Sequence, residues 1–300
     1  MDTTLITHDL TRRFGELTAV DALTLSVPRG AVYGFLGPNG AGKTTTIRLA
    51  LGLIHPSAGE VLLFGQPLRR RRLELLRRVG ALVEVPSLYP HLSGRDNLEV
   101  TRRLIDATKA QRDRALALVG LEDDADRLVK TFSMGMKQRL ALALALMGEP
   151  ELLILDEPTN GLDPAGIREI RELICKLPQE HGITIFLSSH LLAEIEQVAT
   201  HIGIIQQGRL LFEGTLDALH AQNEPQLVLE VDKPQSAKEV LHAYGWKVRG
   251  NGGHSLTLAV NGAADVARIN TQLVQGGVNI YHLNLQQPTL EDIFLAVTQA

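Results

Sequence analysis

A glycine-rich stretch early in the chain fits the pattern G-x-x-x-x-G-K-[ST] at every fixed position. An apolar run at 31–36 precedes it and predicts a buried strand, and residues 45–51 after it predict a helix. A strand, a glycine loop and a helix in this order are the setting of a phosphate-binding loop in an α/β fold of the P-loop type. The candidate nucleotide-binding residues here are Gly37, Pro38, Asn39, Gly40, Ala41, Gly42, Lys43, Thr44 and Thr45.

The chemistry of these residues suits a nucleotide with its metal ion. Glycines let successive backbone N–H groups turn toward phosphate oxygens, and the positive end of the following helix adds to the attraction. We expect Lys43 to reach the β- and γ-phosphates of ATP, and the Thr44 hydroxyl to bind Mg²⁺. A glycine-rich turn alone could be only a tight connection, but the Lys-Thr pair and the flanking elements favour the nucleotide site.

Composition restricts the class of protein. Three hundred residues, 44% hydrophobic and 21% charged, predict a soluble globular protein with one large or two ordinary domains. The apolar run at 140–147 is well short of the ~20 residues of a membrane-spanning helix, and the N-terminus has no signal-peptide pattern. We therefore expect a cytosolic chain. The single cysteine, Cys175, fits a reducing compartment and is expected to be a packing residue.

Nucleic acid is not an expected partner. The formal net charge is −4, and the arginine run at 69–72 has no interleaved aromatic residues. Leucines at 73, 75 and 76 predict that this run is the solvated face of a helix with an apolar side, although contact with nucleic acid is the alternative.

A second pattern lies at 152–157, where an apolar strand ends in two acids after a mainly helical region at about 91–149. Ligands bind at the carboxyl ends of parallel strands, so Asp156 is a candidate Mg²⁺ ligand. Glu157, one residue later, is the candidate to orient or deprotonate the attacking water. An Asp-Glu pair at a strand end is often only a helix cap, but its place downstream of a phosphate loop favours the catalytic interpretation.

Two further side chains are candidates by position. His190 ends the buried strand predicted at 183–190, which would place it near the γ-phosphate, although a lone histidine is usually structural. Phe14 lies in a predicted loop at 12–16 between two strands, where its ring could face adenine or belong to the core.

Together these motifs resemble the ATP-binding subunits of ABC transporters over about residues 1–220. The order is the phosphate loop, a Ser-x-Gly stretch at 133–135, the acidic strand end, Gly161-Leu162-Asp163 and His190. The resemblance implies that Phe14 stacks on adenine, that Asp163 lies in the loop linking two sites of a dimer, and that His190 is the switch histidine.

Three positions depart from the family pattern. Met134 and Met136 replace the first glycine and the glutamine of the usual Leu-Ser-Gly-Gly-Gln signature, while Ser133 and Gly135 remain. The lid glutamine is missing, and Glu84 stands where it aligns, as a weak candidate for Mg²⁺ and for coupling. Phe14 replaces the commoner tyrosine.

The family mechanism implies partners. Each ATP would be held by the phosphate loop of one subunit and by Ser133 and Gly135 of the other, in a homodimer that closes on ATP and opens after hydrolysis. Since the chain has one phosphate loop and no span, we expect a separate integral-membrane permease and a peripheral location on the cytoplasmic face of the membrane. The cofactors implied are ATP and Mg²⁺.

Residues 221–300 predict a small α+β domain with the order β-α-β-β-α-β and a last helix. This part resembles the tail of ATPases serving exporters of drugs, peptide antibiotics or sodium, and we expect it to assist interaction or dimerisation. Two other classes stay open: a soluble ABC ATPase of translation or DNA repair, and a nucleotide-dependent binding module that barely hydrolyses ATP. The absence of a second cassette or long coiled coil disfavours the first, and Glu157 with His190 disfavours the second.

Overall fold

Three apolar runs of the sequence form the buried centre of one sheet. In the computed structural model, which describes residues 2–83, 87–221, 225–250, 255–286 and 289–299, these runs are the strands Val32–Leu36, Leu152–Asp156 and Thr184–Ser189. All their residues are buried. A strand covered on both faces has no polar side, which is why the sequence shows continuous apolar runs here.

The described chain separates into a first unit, Met1–Leu216, and a second unit, Asp217–Ala300; the boundary predicted from the sequence lay at 220. The strands of the first unit are β1 (Thr3–Phe14), β2 (Leu17–Pro28), β3 (Val32–Leu36), β4 (Ala58–Leu63), β5 (Gln66–Pro67), β6 (Val79–Leu82), β7 (Leu152–Asp156), β8 (Thr184–Ser189), β9 (His201–Gln206) and β10 (Arg209–Thr215). Its helices are α1 (Lys43–Ala50), α2 (Arg72–Leu76), α3 (Gly94–Ile105), α4 (Lys109–Leu118), α5 (Met134–Leu146), α6 (Pro164–His181) and α7 (Leu192–Val198), and α8 (Leu216–Ala221) begins at its last residue.

The larger sheet has the strand order β10-β9-β3-β8-β7-β6. Its neighbours run parallel except for the hairpin of β9 and β10. The register pairs Leu36 with Ser189 and Asp156 with Ser188. The loops that follow β3, β7 and β8 therefore leave the sheet at the same edge, which is where ligands bind in such sheets.

A second, antiparallel sheet has the order β2-β1-β4-β5 and shares one apolar core with the first. The loop predicted at 12–16 is wrong in extent, because β1 continues to Phe14 and β2 starts at Leu17, which pair directly. Gly15 has a φ of 58°, so a turn of two residues closes the hairpin. Phe14 consequently lies in a strand rather than in a loop.

The predicted helical region contains α3, α4 and α5. Side chains cap each helix start: Ser93 accepts the backbone N–H of Asp96, Thr108 and Gln111 form a capping box, and Ser133 caps α5. Between α3 and α4, the Glu99 carboxylate pairs with the three guanidinium groups of Arg102, Arg103 and Arg112.

The arginine run at 69–72 is not a helix face as predicted. Arg69, Arg70 and Arg71 lie in the turn before α2, which starts only at Arg72. The expected apolar side is also shorter, because Leu75 is buried whereas Leu73 is 80% exposed. The arginines are exposed, as expected for a solvated charge run.

The second unit confirms the predicted order of a small α+β domain. After α8 its elements are β11 (Gln226–Val231), α9 (Pro234–Ala243), β12 (Val248–Gly250), β13 (Ser255–Ala259), α10 (Ala263–Gln275), β14 (Ile280–Gln286) and α11 (Leu290–Gln299). The antiparallel sheet has the order β12-β13-β11-β14, a ferredoxin-like arrangement with its own apolar core. No helix in the described part of the chain is long and apolar enough to cross a membrane.

Candidate functional site

The loop between β3 and α1 depends on glycine at two positions. Gly42 precedes α1 with a φ of 110°, and a Cβ there would lie 2.5 Å from the carbonyl oxygen of Ala19. A Cβ at Gly37 would lie 2.4 Å from the carbonyl oxygen of Ile205. The loop can approach β2 and β9 this closely only because neither glycine has a side chain. This packing fixes the loop at the start of α1. The first N–H groups of a helix have no partner within the helix, so they are available to a ligand.

Lys43 is buried inside this loop, with 7% of the side chain exposed. Its Nζ donates to the carbonyl oxygen of Gly37 at 2.6 Å and lies 3.4 Å from that of Pro38. The Glu157 Oε1 atom is 3.8 Å from the same Nζ. Burial lowers the pKa of Lys43 from its usual value, while the Glu157 and Asp156 carboxylates oppose that shift.

Asp156 joins the loop to the neighbouring strands. The Thr44 hydroxyl donates to Asp156 Oδ2 at 2.9 Å, and the Ser188 hydroxyl donates to Oδ1 at 2.5 Å. The carboxylate is 5% exposed. Mg²⁺ prefers oxygen ligands, and the Thr44 hydroxyl and the Asp156 carboxylate place two of them side by side. In such sites water and substrate phosphate complete the coordination. Thr44 and Asp156 therefore fit such an ion.

Glu157 follows β7 in a left-handed conformation with a φ of 52°, which is uncommon for a residue other than glycine. Its N–H lies 3.2 Å from both the carbonyl oxygen and the hydroxyl of Ser188. The side chain turns to His190, whose Nδ1 is 2.7 Å from Oε2. The backbone reversal thus separates Glu157 from Asp156 and holds its carboxylate between His190 and Lys43.

The Phe14 ring is part of the exposed hairpin end and is 45% exposed. The Arg12 guanidinium lies over the ring, 4.5 Å from its centroid, in a cation–π contact. One face of the ring is therefore covered by Arg12.

Another cluster forms where α5 and α6 begin. Ser133 accepts the backbone N–H of Met136 at 3.2 Å, and Asp163 accepts that of Gly166 at 3.1 Å. The two helix starts are close, since a Cβ at Gly135 would lie 3.9 Å from the Cα of Gly166. Ser133 is exposed, so its hydroxyl is accessible at this surface.

Comparison with known proteins agrees with this geometry. Residues 20–160 match the family described as ABC transporter, and residues 214–298 match the C-terminal domain of ATP-binding proteins described as DrrA1-3-like. The bacitracin transport ATP-binding protein BcrA of Bacillus licheniformis is 42% identical over 98% of this chain and 97% of its own length. This chain belongs to the ABC transporter ATP-binding proteins. The resemblance predicted from the motifs is confirmed.

Two further relatives of this ABC ATPase support the assignment. The lantibiotic transport ATP-binding protein SrtF of Streptococcus pyogenes is 42% identical over 70% of this chain and 90% of its own length. A solved structure described as the ATP-binding subunit of an ABC transporter is 32% identical, with a TM-score of 0.66 over 73% of this chain and 93% of that one. The chain is thus an ATP-hydrolysing subunit of an ABC transporter.

In this ABC ATPase, most of the predicted site residues fall into two groups; Phe14 is in neither, since its described contact is with Arg12. The contacts described above join Lys43, Thr44, Asp156, Glu157 and His190 at one sheet edge. Ser133, Gly135 and Asp163 lie together at the starts of α5 and α6 instead. Glu84 is outside the described residues, so its predicted roles in metal binding and coupling stay predictions.

Sequence reasoning missed two side chains of the site. Ser188, interpreted only as part of a strand, donates its hydroxyl to the Asp156 carboxylate and accepts the backbone N–H of Glu157. Its position two residues before His190 on a neighbouring strand was the available signal. Gln138 is buried on α5 and donates from Nε2 to the Pro158 carbonyl oxygen at 2.6 Å. It lies at 137–140, just after the Ser-x-Gly stretch, where the sequence resembles the family signature but indicated no role for this side chain.

Proposed function

We propose that this ABC ATPase binds ATP with Mg²⁺ at the edge formed by β3, β7 and β8, and works as a homodimer that drives export of a peptide antibiotic through a separate permease. The observation that carries the catalytic part is the Glu157 carboxylate, held between His190 Nδ1 at 2.7 Å and Lys43 Nζ at 3.8 Å. In this arrangement Glu157 is the candidate base, His190 would orient it, and Lys43 would bind the γ-phosphate.

Residues 37–44 bind the phosphates. Backbone N–H groups of the loop and the start of α1 face the phosphate oxygens, and Lys43 exchanges its carbonyl partners for the β- and γ-phosphates. Thr45 extends the contact by one residue into α1. Thr44 and Asp156 would hold Mg²⁺, which would supply positive charge to neutralise the phosphates. Ser188 keeps the Asp156 carboxylate oriented.

Glu157 orients the attacking water and accepts its proton. The side chain is 22% exposed, so water can reach it, while His190 fixes its direction. His190, 40% exposed, can also contact the γ-phosphate through its other nitrogen. The exposed face of the Phe14 ring would stack on adenine.

The second group of residues fits the partner's nucleotide. Ser133 is exposed at the start of α5, and Gly135 adds backbone without a side chain, as a phosphate-facing helix start requires. Asp163 lies beside them at the start of α6. In a head-to-tail pair of subunits this surface would close over the ATP of the other subunit, so nucleotide would belong to the interface.

Cargo and location follow from relatives. BcrA and SrtF are described as transport ATP-binding proteins for bacitracin and for a lantibiotic, both peptide antibiotics. By analogy we assign this chain to the same class of cargo, at the cytoplasmic face of the membrane beside its permease.

The assignment of Glu157 has a direct test. Glu157→Gln should keep ATP affinity within about twofold and lose most turnover, by about 100-fold or more, because only general-base catalysis is removed. Gel filtration with Mg-ATP should then show an accumulated dimer. The control is Glu172→Gln, an exposed residue of α6. Turnover near normal in Glu157→Gln would reject the role of Glu157.

The cargo assignment is tested in membrane vesicles that contain the chain together with its permease. Bacitracin added to the vesicles should stimulate ATP hydrolysis, whereas an unrelated amphipathic peptide of equal charge should not. Glu157→Gln vesicles supply the background. Hydrolysis insensitive to bacitracin and to lantibiotics would contradict a peptide-antibiotic cargo while leaving the ATPase assignment intact.

A further inference from the structure

Three consecutive residues after β7 are held by three different elements. Glu157 is fixed by Ser188 of β8, through the bonds described above. Pro158 has no N–H, so its carbonyl oxygen is the one polar group by which its backbone can be held. That oxygen accepts the Gln138 amide of α5 at 2.6 Å.

The next residue is held from the opposite side. The Thr159 hydroxyl donates to Glu194 Oε2 of α7 at 2.6 Å. Thr159 is 6% exposed and Gln138 is 9% exposed, so water competes little for these bonds. An amide donor and a carboxylate acceptor therefore clamp the Pro158–Thr159 segment between α5 and α7.

This clamp directly follows Glu157, whose backbone conformation is unfavourable by itself. The left-handed backbone of Glu157 persists only if its surroundings over-determine it. On its N-terminal side the strand pairing of β7 fixes the chain. On its C-terminal side the clamp fixes it, together with a turn bond from the Asn160 N–H to the Glu157 carbonyl oxygen at 3.1 Å. If the segment rotates, the Glu157 carboxylate moves away from His190 and Lys43.

We propose that Gln138 and Glu194 are positioning residues for Glu157: by holding Pro158 and Thr159 they keep its carboxylate aimed at the attacking water. The inference rests on the proposed role of Glu157 and adds a link to it. Gln138 lies on α5, which Ser133 caps and whose first turn contains Gly135. Glu194 lies in the first turn of α7, four residues after His190. A displacement of either helix start is thus transmitted to the catalytic carboxylate within one subunit.

The test uses variants of nearly equal shape in the full chain. Thr159→Val and Gln138→Met each remove one bond of the clamp, and Thr159→Ser keeps the hydroxyl. We expect kcat to fall about tenfold or more in the first two, because a displacement of about 1 Å is enough for such losses. The KM for ATP and the ATP affinity should stay within about twofold, and Thr159→Ser should restore most of kcat.

A double substitution separates positioning from general loosening. In the Glu157→Gln background, Thr159→Val should change the residual turnover little, since residues that act through one group are not additive. Arg139→Met is the control for disturbance of that helix, because it removes an ion pair of α5 with Glu169 at 3.4 Å and the bonds from Arg139 to the carbonyl oxygens of Val119 and Gly120.

The outcomes are distinct. Normal kcat in Thr159→Val and Gln138→Met, with Glu157→Gln defective, would overturn the positioning role alone. Normal kcat in Glu157→Gln would overturn the proposed catalytic role itself. Equal losses of kcat and ATP affinity, or a full additional loss in the double variant, would assign the clamp to folding of the site and also contradict the inference.

Discussion

The buried ammonium group of Lys43 is held in the loop mainly by uncharged carbonyl oxygens. This group has three donors, and the carbonyl oxygens of Gly37 and Pro38 with the Glu157 carboxylate are the acceptors within 4 Å that the described residues supply. Phosphate oxygens would form stronger, charge-assisted bonds with it. Part of the gain on ATP binding is therefore offset by the carbonyl contacts that Lys43 leaves.

Lys43→Met tests this balance, because it keeps the length of the side chain and removes the charge. Hydrogen bonds to charged groups contribute ~1.5–3 kcal/mol, so ATP affinity should fall by about tenfold to 100-fold. Isothermal calorimetry measures the affinity, and Lys176→Met on the exposed side of α6 is the control. Unchanged affinity in Lys43→Met would count against the phosphate contact.

At the scale of secondary-structure elements, the sequence predicted the features that depend only on neighbouring residues. The buried runs gave β3, β7 and β8, and motif spacing gave Lys43 and His190. The role of Ser188 depends on the register of β7 against β8, which pairs it with Asp156 across 32 positions of sequence. Register is set by the whole sheet, so no local pattern contained it. The predicted loop at 12–16 was too long, because the pairing of β1 with β2 continues to Phe14 and Leu17 and leaves only a turn of two residues.

The start of α1 provides a stability prediction. Gly42→Ala should lower the free energy of unfolding by at least ~1–2 kcal/mol, the penalty of a left-handed alanine, and by more because its Cβ meets the Ala19 carbonyl oxygen. Gly40→Ala is the matched control, since Gly40 has a φ of 80° but no atom within 4 Å of an added Cβ. Urea denaturation compares the two, and equal losses would argue against the steric contact.

The start of β7 provides a pH prediction. Hydrogen bonding from Arg78, at 2.6 Å, lowers the pKa of Glu151 from its usual value. A carboxyl pKa that is lower in the folded state stabilises the fold above the unfolded value of about 4.3, and this stabilisation is lost as the pH falls through the folded value. Because the pair is partly exposed, Glu151→Gln should cost only ~0.2–1 kcal/mol at pH 7, and less at pH 3.5.

Urea denaturation at both pH values measures this difference, with Asp123→Asn as an exposed control. A destabilisation by Glu151→Gln that grows as the pH falls would have the wrong sign for a charge-paired carboxylate.

On the scale of the whole molecule, each unit has its own core. The first contains the predicted site residues, and the second contains an independent sheet with two helices packed on it. SrtF matches this chain over 210 residues that make up 90% of its length, so a chain of that size serves as a transport ATP-binding protein. We therefore expect the ATP chemistry to belong to the first unit.

A chain truncated after Ala221 should bind ATP with affinity within about threefold of the full chain, since a factor of ten would need 1.4 kcal/mol of lost contact. Its dimerisation with ATP, measured with Glu157→Gln present in both lengths, should be weaker. Circular dichroism establishes folding of the truncated chain. Loss of ATP binding by a folded truncation would show that the second unit completes the nucleotide site.

Glu99, with its three arginine partners, has an evolutionary consequence. Any one of Arg102, Arg103 and Arg112 can be replaced while the carboxylate keeps two partners, so substitutions at these positions are tolerated one at a time. Replacing Glu99 first leaves three neighbouring guanidinium groups, of which Arg112 still pairs with Asp113 at 2.8 Å. We therefore expect substitutions in this cluster to occur in a fixed order. The arginines are replaced first, and Glu99 is replaced only after most of them.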